Sequence, residues 1–413
     1  MKLNLLLKSL YGALLVNLLL AGCVSTPVKL ISELEIQAQG ARWLAFQDGE
    51  EAWQVLSLNE TSALSVTQQP GQVFRNDGVL ALAFSPNVTQ TARVNNEAGR
   101  YGVARVCVDS SGNADLAIYY NTLEASRAVV ANCFEEAAIR YNLTGRILDF
   151  QLGDSAEVSA GSNVTVVDEN GSFSLELPPD TYDVVTKHTP QTGESRLGLL
   201  KNATVFANTT VDIDLDAASA LTSETATVTG LQAEESFEGS TVTLISSNGT
   251  RLQLGASEEE VYTYDQAIAL EVRYELAASA LTFNSTTGKG VRRSASQLYG
   301  EADLKQLELP EASGDLSFTE SQLPEVRWQD GGTGSYNVFL QQSTYRVFVS
   351  QTEAYLGEHQ FDYKLEDFST LPGWEDWTFA EGEINWSVYM RKTSGDKNTK
   401  GYRLSFIQHF GKY

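Results

Sequence analysis

The sequence predicts an all-β protein, a set of consecutive β-sandwich domains behind a cleaved signal peptide. Two observations carry that reading. Short runs of alternating aromatic and β-branched residues recur from Arg42 to the C-terminus, with the period of two that a half-buried strand requires. Between them stand turn pairs such as Asp48-Gly49, Asn170-Gly171 and Asn248-Gly249, which close tight reversals because their residues tolerate positive φ. Helix is expected only in short pieces and in the signal peptide.

The N-terminus is an export signal. Lys2 and Lys8 precede a nearly unbroken apolar stretch from Leu10 to Leu20, and the small pair Ala21-Gly22 leads into Cys23. The apolar run is too short for a membrane span and its flanks suit cleavage, so residues 1–22 read as a signal peptide. Leu20-Ala21-Gly22-Cys23 resembles the bacterial lipobox. That resemblance implies a diacylglycerol on the Cys23 sulfur, cleavage just before it and acylation of the new amino group. A plain signal peptide followed by an ordinary cysteine is the rival reading. Val24 follows Cys23 where lipoproteins retained in the inner membrane carry Asp, so the resemblance implies an outer-membrane protein held by its lipid. Residues 23–35, with Pro27, form the tether.

Composition bounds the partners. The chain has 413 residues, 42% hydrophobic and 10% aromatic, enough to build cores and too many for a disordered stalk. Net charge is -24; without Lys2 and Lys8 the remaining 27 basic and 53 acidic residues give -26. Such a chain repels phosphate backbones, which argues against a nucleic-acid partner. With Cys23 assigned to the lipid, Cys107 and Cys133 remain. In an exported chain this pair reads as one disulfide. No Cys-x-x-Cys or Cys/His cluster supports the alternative of a metal-binding or nucleophilic cysteine.

Four units follow the tether. Residues 36–138 carry Arg42-Trp43-Leu44-Ala45-Phe46 and Ala52-Trp53-Gln54-Val55-Leu56 as a hairpin about Asp48-Gly49-Glu50. Strands at Gly78 to Phe84, Tyr101 to Val108 and Leu116 to Tyr120 follow, with the disulfide stapling the unit. Trp43 to Gly49, Trp53-Gln54, Gly99 to Ala104 and the two cysteines resemble an N-terminal module of exported bacterial lipoproteins, which implies a structural role. Residues 139–218 contain Leu143-Thr144-Gly145-Arg146-Ile147, then Asn170-Gly171-Ser172-Phe173-Ser174-Leu175, then Leu177-Pro178-Pro179-Asp180-Thr181-Tyr182-Asp183-Val184. In that order they resemble the carboxypeptidase-regulatory or transthyretin-like sandwich, an accessory module without chemistry of its own. Residues 219–312 continue the alternation as a sandwich of unassigned type. Residues 313–413 hold four of the six tryptophans. With Trp328 on an early strand and Tyr336 and Tyr345 opening later ones, they resemble a fibronectin type III-like, immunoglobulin-like sandwich.

Candidate chemistry is sparse. His188, His359 and His409 are far apart in sequence, and no serine-elbow, zinc-helix or phosphate-loop motif is present. Asp212, Asp214 and Asp216 alternate with Val211, Ile213 and Leu215, so a strand would place three carboxylates on one face. They are the one candidate calcium site, although an EF-hand's loop glycine and distal glutamate are missing; a hydrated outer face is the simpler reading. Trp374 and Trp377 are the candidate ligand-binding residues: Leu371-Pro372-Gly373 would present Trp374 at a loop tip, where an open ring stacks on a sugar. Core packing is the competing role for them, and Trp386, alternating with Ile384 and Val388, is expected inside. The functional expectation is a structural or binding lipoprotein, not an enzyme, with a glycan or an envelope protein as partner. The rival is a polysaccharide- or peptide-acting hydrolase using Asp or Glu of the C-terminal region.

Overall fold

The computed structural model describes residues 32–413 except 57–88, 124–127, 131–132, 134–138, 216–217, 268–271, 330–333, 358–360 and the single positions 313, 320, 322 and 398. Cys23, the strand expected from Gly78 to Phe84, Asp216 and His359 therefore lie outside the described residues. Strand makes up 61% of the described residues and helix 1%, so the all-β expectation holds.

The first unit comprises β1 (Ser32–Gln39), β2 (Trp43–Asp48), β3 (Gln54–Val55), β4 (Thr89–Asn96), β5 (Arg100–Val108), β6 (Ala114–Thr122) and β7 (Ala128–Val130). The expected hairpin is there: β2 and β3 pair antiparallel, with Ala45 opposite Val55 and Gly49 at φ 61°. Asp48 fixes the neighbouring loop, its carboxylate accepting from the backbone N–H of Glu97 and Ala98 and from Asn96 Nδ2 at 2.8–3.0 Å. Strand β2 shows why its sequence does not alternate. Trp43 and Ala45 face one core, while Leu44 and Phe46 face another formed with the three-stranded sheet β4-β1-β7. A strand covered on both sides reads as a continuous apolar run.

The second unit comprises β8 (Tyr141–Ile147), β9 (Ser155–Ala160), β10 (Asn163–Val166), β11 (Ser172–Leu177), β12 (Asp180–Thr189), β13 (Arg196–Val205) and β14 (Thr209–Ile213). Sheet β11-β8-β14 packs on β10-β9-β12-β13 around Leu143, Val158, Leu177, Val184 and Val205, a two-layer sandwich. Gly145 sits where a Cβ would meet the Val211 carbonyl at 1.9 Å, so only glycine lets β14 lie so close.

The third unit comprises β15 (Ser219–Thr229), β16 (Ser236–Ile245), β17 (Arg251–Ser257), β18 (Val261–Ala267), β19 (Arg273–Asn284), β20 (Lys289–Tyr299) and β21 (Lys305–Glu308). The Asn248-Gly249 pair closes the β16–β17 hairpin. Strands β15, β18 and β21 extend the second unit's sheet, and β17-β16-β19-β20 runs into the sheet of the last unit. The apolar layer between them holds Val242, Leu244, Tyr274 and Leu276, all at 0% exposure.

The last unit comprises β22 (Leu316–Phe318), β23 (Glu325–Trp328), β24 (Ser335–Gln341), β25 (Tyr345–Gln351), the one-turn helix α1 (Glu353–Leu356), β26 (Phe361–Lys364), β27 (Asn385–Ser394) and β28 (Arg403–Lys412). The segments 36–138 and 313–413, expected as separate sandwiches, instead form one body. Strand β25 pairs in parallel with β6, Val347 beside Leu116 and Val349 beside Ile118. The result is a twelve-stranded sheet in the order β17-β16-β19-β20-β28-β27-β24-β25-β6-β5-β2-β3. Sheet β22-β23-β26 closes over one side of it, and a single core contains Trp43, Val106 and Leu116 together with Trp328, Val347, Phe361 and Val388. Each such buried aliphatic or aromatic side chain contributes roughly 1.5–3 kcal/mol, so the shared core joins the chain's two ends firmly.

Cys107 and Cys133 lie at disulfide distance with their Cα atoms 5.4 Å apart. The bridge ties β5 of the long sheet to the end of the covering sheet, where Cys133 N–H also donates to Gln39 O at 2.7 Å.

Candidate functional site

Beyond β6, the side of the long sheet that β4-β1-β7 covers over β2 and β5 carries rings that are half-buried or, at Phe339, exposed. Alternation sorts the residues there. On β24, β25, β27 and β28 the branched aliphatics Val338, Leu340, Val347, Val349, Val388 and Ile407 point into the core. The outward positions between them carry rings: Phe339 on β24, Phe348 on β25, Tyr389 on β27 and Phe406 on β28, with Tyr119 on β6.

Register lines these rings up across five adjacent strands. Phe339 and Phe348 are direct cross-strand partners with centroids 4.7 Å apart. Tyr119 is diagonal to Phe348 at 5.8 Å, Tyr389 lies nearly parallel to Phe339 at 5.7 Å, and Phe406 follows at 6.3 Å. Cross-strand and diagonal positions are the ones aromatic side chains can bridge, and the strand spacing of roughly 4.8 Å sets the repeat. Phe339 is 41% exposed. A second stacked pair, Phe283 and Phe410, stands farther along, and Phe410 packs over Gly290, where a Cβ would come within 2.6 Å of its ring.

Polar groups accompany the rings. Asn337, Ser350, Ser387 and Gln408 share the outward face, and an Arg346–Asp115 pair at 3.6 Å borders it on the β6 side. Beyond Phe406 the face becomes a groove of about 800 Å³ floored by Ala277, Ser279, Ser294 and Ser296. Glu275, paired with Arg251, and Glu238, held by Arg292 through two bonds of 2.8 Å, stand at its rim. The bonds from Arg292 hold the Glu238 carboxyl below its ordinary value, and Glu238 in turn raises Arg292. The face thus offers flat apolar rings beside fixed hydrogen-bonding groups.

The residues singled out from sequence are placed differently. Trp374 and Trp377 are half-buried and packed on the shared core. Trp374 meets the Trp43 ring edge-on at 5.1 Å and Phe368 at 5.3 Å, and Trp43 Nε1–H donates to the Pro372 carbonyl at 3.1 Å. The Leu371–Trp374 turn therefore folds onto the first unit and does not stand free as a tip. Trp386 is buried as expected, stacked on Phe318 at 4.6 Å. Asp212 and Asp214 are exposed, with Asp212 in register with Arg146 on the neighbouring β8. Among the described residues no three His, Cys, Asp or Glu side chains converge as a metal-ligand set. His188 bonds Asp154 Oδ2 through Nε2 at 3.0 Å, while His409 packs against Trp328, so these two histidines serve separate cores.

No helix among the described residues is long and apolar enough to cross a membrane. No family model matches the chain, and no curated protein matches it.

Proposed function

We propose that this protein is an outer-membrane lipoprotein, anchored through lipid on Cys23, that binds a glycan of the cell envelope along its open sheet face. The observation that carries the reading is the row Tyr119, Phe348, Phe339, Tyr389 and Phe406, ring after ring at 4.7–6.3 Å across five strands. Sugars present apolar C–H faces to rings and hydroxyls to amides and charged groups, and this face supplies both. A face meant to be sealed against another protein layer would carry the branched aliphatics that on β24, β25 and β27 point inward. The second and third units, the second of them carboxypeptidase-regulatory-like, then act as a frame beside that face.

The hydrolase alternative has less support. In the C-terminal region Asp362 is held by Arg327 at 3.1 Å, Glu375 by Arg42 at 2.8 Å and Glu383 by Lys412 at 3.0 Å, and Glu366 accepts from Tyr120 at 2.9 Å. Carboxylates so engaged position and recognise; a general acid for glycoside cleavage needs a free proton to deliver. The mature chain incubated with a panel of insoluble polysaccharides should be retained by at least one and release no soluble sugar. Retention by none removes the glycan reading, and sugar release restores the hydrolase.

A further inference from the structure

On the opposite side of the same sheet the three-stranded cover stops short of β5. Phe318 of β22 stacks on Trp386 of β27 at 4.6 Å, and Phe361 of β26 stacks on Tyr336 of β24 at 4.6 Å. Tyr363 of β26 reaches Tyr120 of β6 at 6.1 Å. The long sheet continues past β6 with β5 and β2, but the cover's order ends at β26. Beside that last strand lies a cleft of about 1080 Å³, lined on one side by β26 and its continuation, from Phe361 to Asp367. Opposite stand Arg100 of β5, Gln47 of β2, Glu50 of the turn after it, and Tyr355 of α1.

The rings and charges of this cleft engage one another. Tyr120 donates to Glu366 at 2.9 Å, Arg100 pairs with Glu50 at 2.6 Å and lies over the Tyr355 ring, and Arg327 pairs with Asp362 at 3.1 Å. The backbone edge of β26 is different. Leu365 N–H donates to Pro324 O at 3.0 Å, and Thr319 N–H donates to Glu325 O at 2.8 Å. With Lys364 opposite Glu325 and Asp362 opposite Arg327, antiparallel alternation gives the bonds to β23 to Phe361, Tyr363 and Leu365. The N–H and C=O groups of Asp362 and Lys364 therefore turn to the far edge, where no described strand pairs with them. Both residues are exposed, and an open edge is a template for another strand.

We propose that an extended, basic segment of another protein enters this cleft and pairs with β26 as the fourth strand of the cover. Backbone bonds to Asp362 and Lys364 set its register, and its alternate side chains pack inward beside the half-buried Tyr355 ring. Charge selects the partner. The carboxylates of Glu50, Asp362, Glu366 and Asp367 line the cleft against the three cations of Arg100, Arg327 and Lys364. Glu366 and Asp367 accept from the Tyr120 hydroxyl and from Ser369 N–H, and neither has an ion pair among the described residues. A lysine or arginine of the incoming strand supplies one. A second copy of this chain is a poor occupant, because it brings the same net charge of -24. The site stands independently of the ring row across the sheet, and either can fail without the other.

The test uses the full mature chain and fluorescent peptides of about ten residues in which valine or threonine alternates with lysine. At least one should bind about tenfold tighter than its counterpart with glutamate in place of lysine. Methylating alternate peptide nitrogens, in whichever register meets the edge, removes its donors but keeps its side chains, and should weaken binding about tenfold. Lys364→Pro removes an edge N–H that β23 does not use, a position where proline is tolerated. It should lose the peptide while melting near the wild-type temperature. Lys364→Ala keeps that N–H and should bind at least as well as wild type, and Phe339→Ala on the other face should leave binding unchanged. Lysine peptides that bind no tighter than their glutamate counterparts overturn the proposal. Equal binding by the methylated peptides overturns it as well, whether or not Lys364→Pro folds, and so does a folded Lys364→Pro protein that binds as Lys364→Ala does.

Discussion

Asp183 of the second unit accepts from both the backbone N–H and the side-chain Nδ2 of Asn248 in the third, each at 3.2 Å. Ser247 Oγ adds a bond at 3.0 Å and Asn202 N–H another at 3.2 Å, while Thr250 Oγ1 donates to the Asp183 carbonyl at 2.6 Å. At 1% exposure this carboxylate is the joint between two sandwiches. Burial pushes its pKa up, but the bonds from Ser246, Asn202, Asn248 and Ser247 outweigh burial and hold it below the ordinary value. A carboxyl depressed in the folded state stabilises fully above its unfolded pKa of roughly 4, and that contribution is lost as pH falls through the folded value. Asp183→Ala should cost about 1–3 kcal/mol at neutral pH, read as a lowered urea midpoint. The difference from wild type should shrink in strong acid.

His409 sets a second pH dependence with its own sign. It packs edge-on to Trp328 at 4.7 Å, and burial lowers its pKa to about 4, against a weaker upward pull from Asp315. The folded state therefore binds this proton less readily than the unfolded chain. Stability from the neutral ring is complete above an unfolded pKa of roughly 6.5 and falls as pH drops from there to about 4. The urea midpoint should decline between pH 7 and pH 4.5, and His409→Phe should flatten that decline.

The strands could be read from the sequence because alternation is a local property. Ile384, Trp386 and Val388 announce their inward face unaided, and Asp48-Gly49 and Asn248-Gly249 announce their hairpins. What sequence could not supply was who pairs with whom. The neighbour of β25 is β6, more than two hundred residues away, and that pairing merges the two ends of the chain into one sheet. The ring row exists only once those registers are fixed, since Tyr119, Phe348 and Tyr389 are scattered single aromatics until their strands lie side by side. Trp374 shows the same limit in reverse. Its Pro-Gly turn is where local chemistry puts it, but contact with Trp43, more than three hundred residues away, turns the ring inward. Strand β2, apolar on both faces, carried a signal too: a continuous Trp-Leu-Ala-Phe run marks a strand with a layer on each side.

The Cys107–Cys133 link should hold the covering sheet on β5. The cysteines are 26 residues apart in sequence, and closing a loop of that size restricts the unfolded chain by roughly 3 kcal/mol. Thiol labelling of the unfolded, unreduced protein should find neither cysteine. Cys133→Ser should lower the denaturation midpoint, with the loss growing from the core around Leu34, Ile36 and Phe46.

Replacement of Cys23 by Ala should leave the precursor uncleaved or release the protein from membranes. Partitioning into detergent is the readout, and a mutant that partitions as wild type does would remove the lipid anchor from the account.

The central claim, a glycan held on the outward rings of the long sheet, is tested most directly by comparing three proteins on the polysaccharide that retains wild type. The double variant Phe339→Ala/Tyr389→Ala removes two stacked rings, the first exposed and the second half-buried, and base or sugar stacking of this kind is worth about 1–3 kcal/mol per ring by analogy with single-stranded nucleic acids. It should elute with the unbound fraction while keeping the wild-type melting temperature. Trp374→Ala should lose stability, because its ring packs on Trp43 and Phe368, yet remain bound below its melting temperature. Full retention of the double variant together with loss of the Trp374→Ala protein from the matrix would place the binding surface at the tryptophan turn and contradict this account.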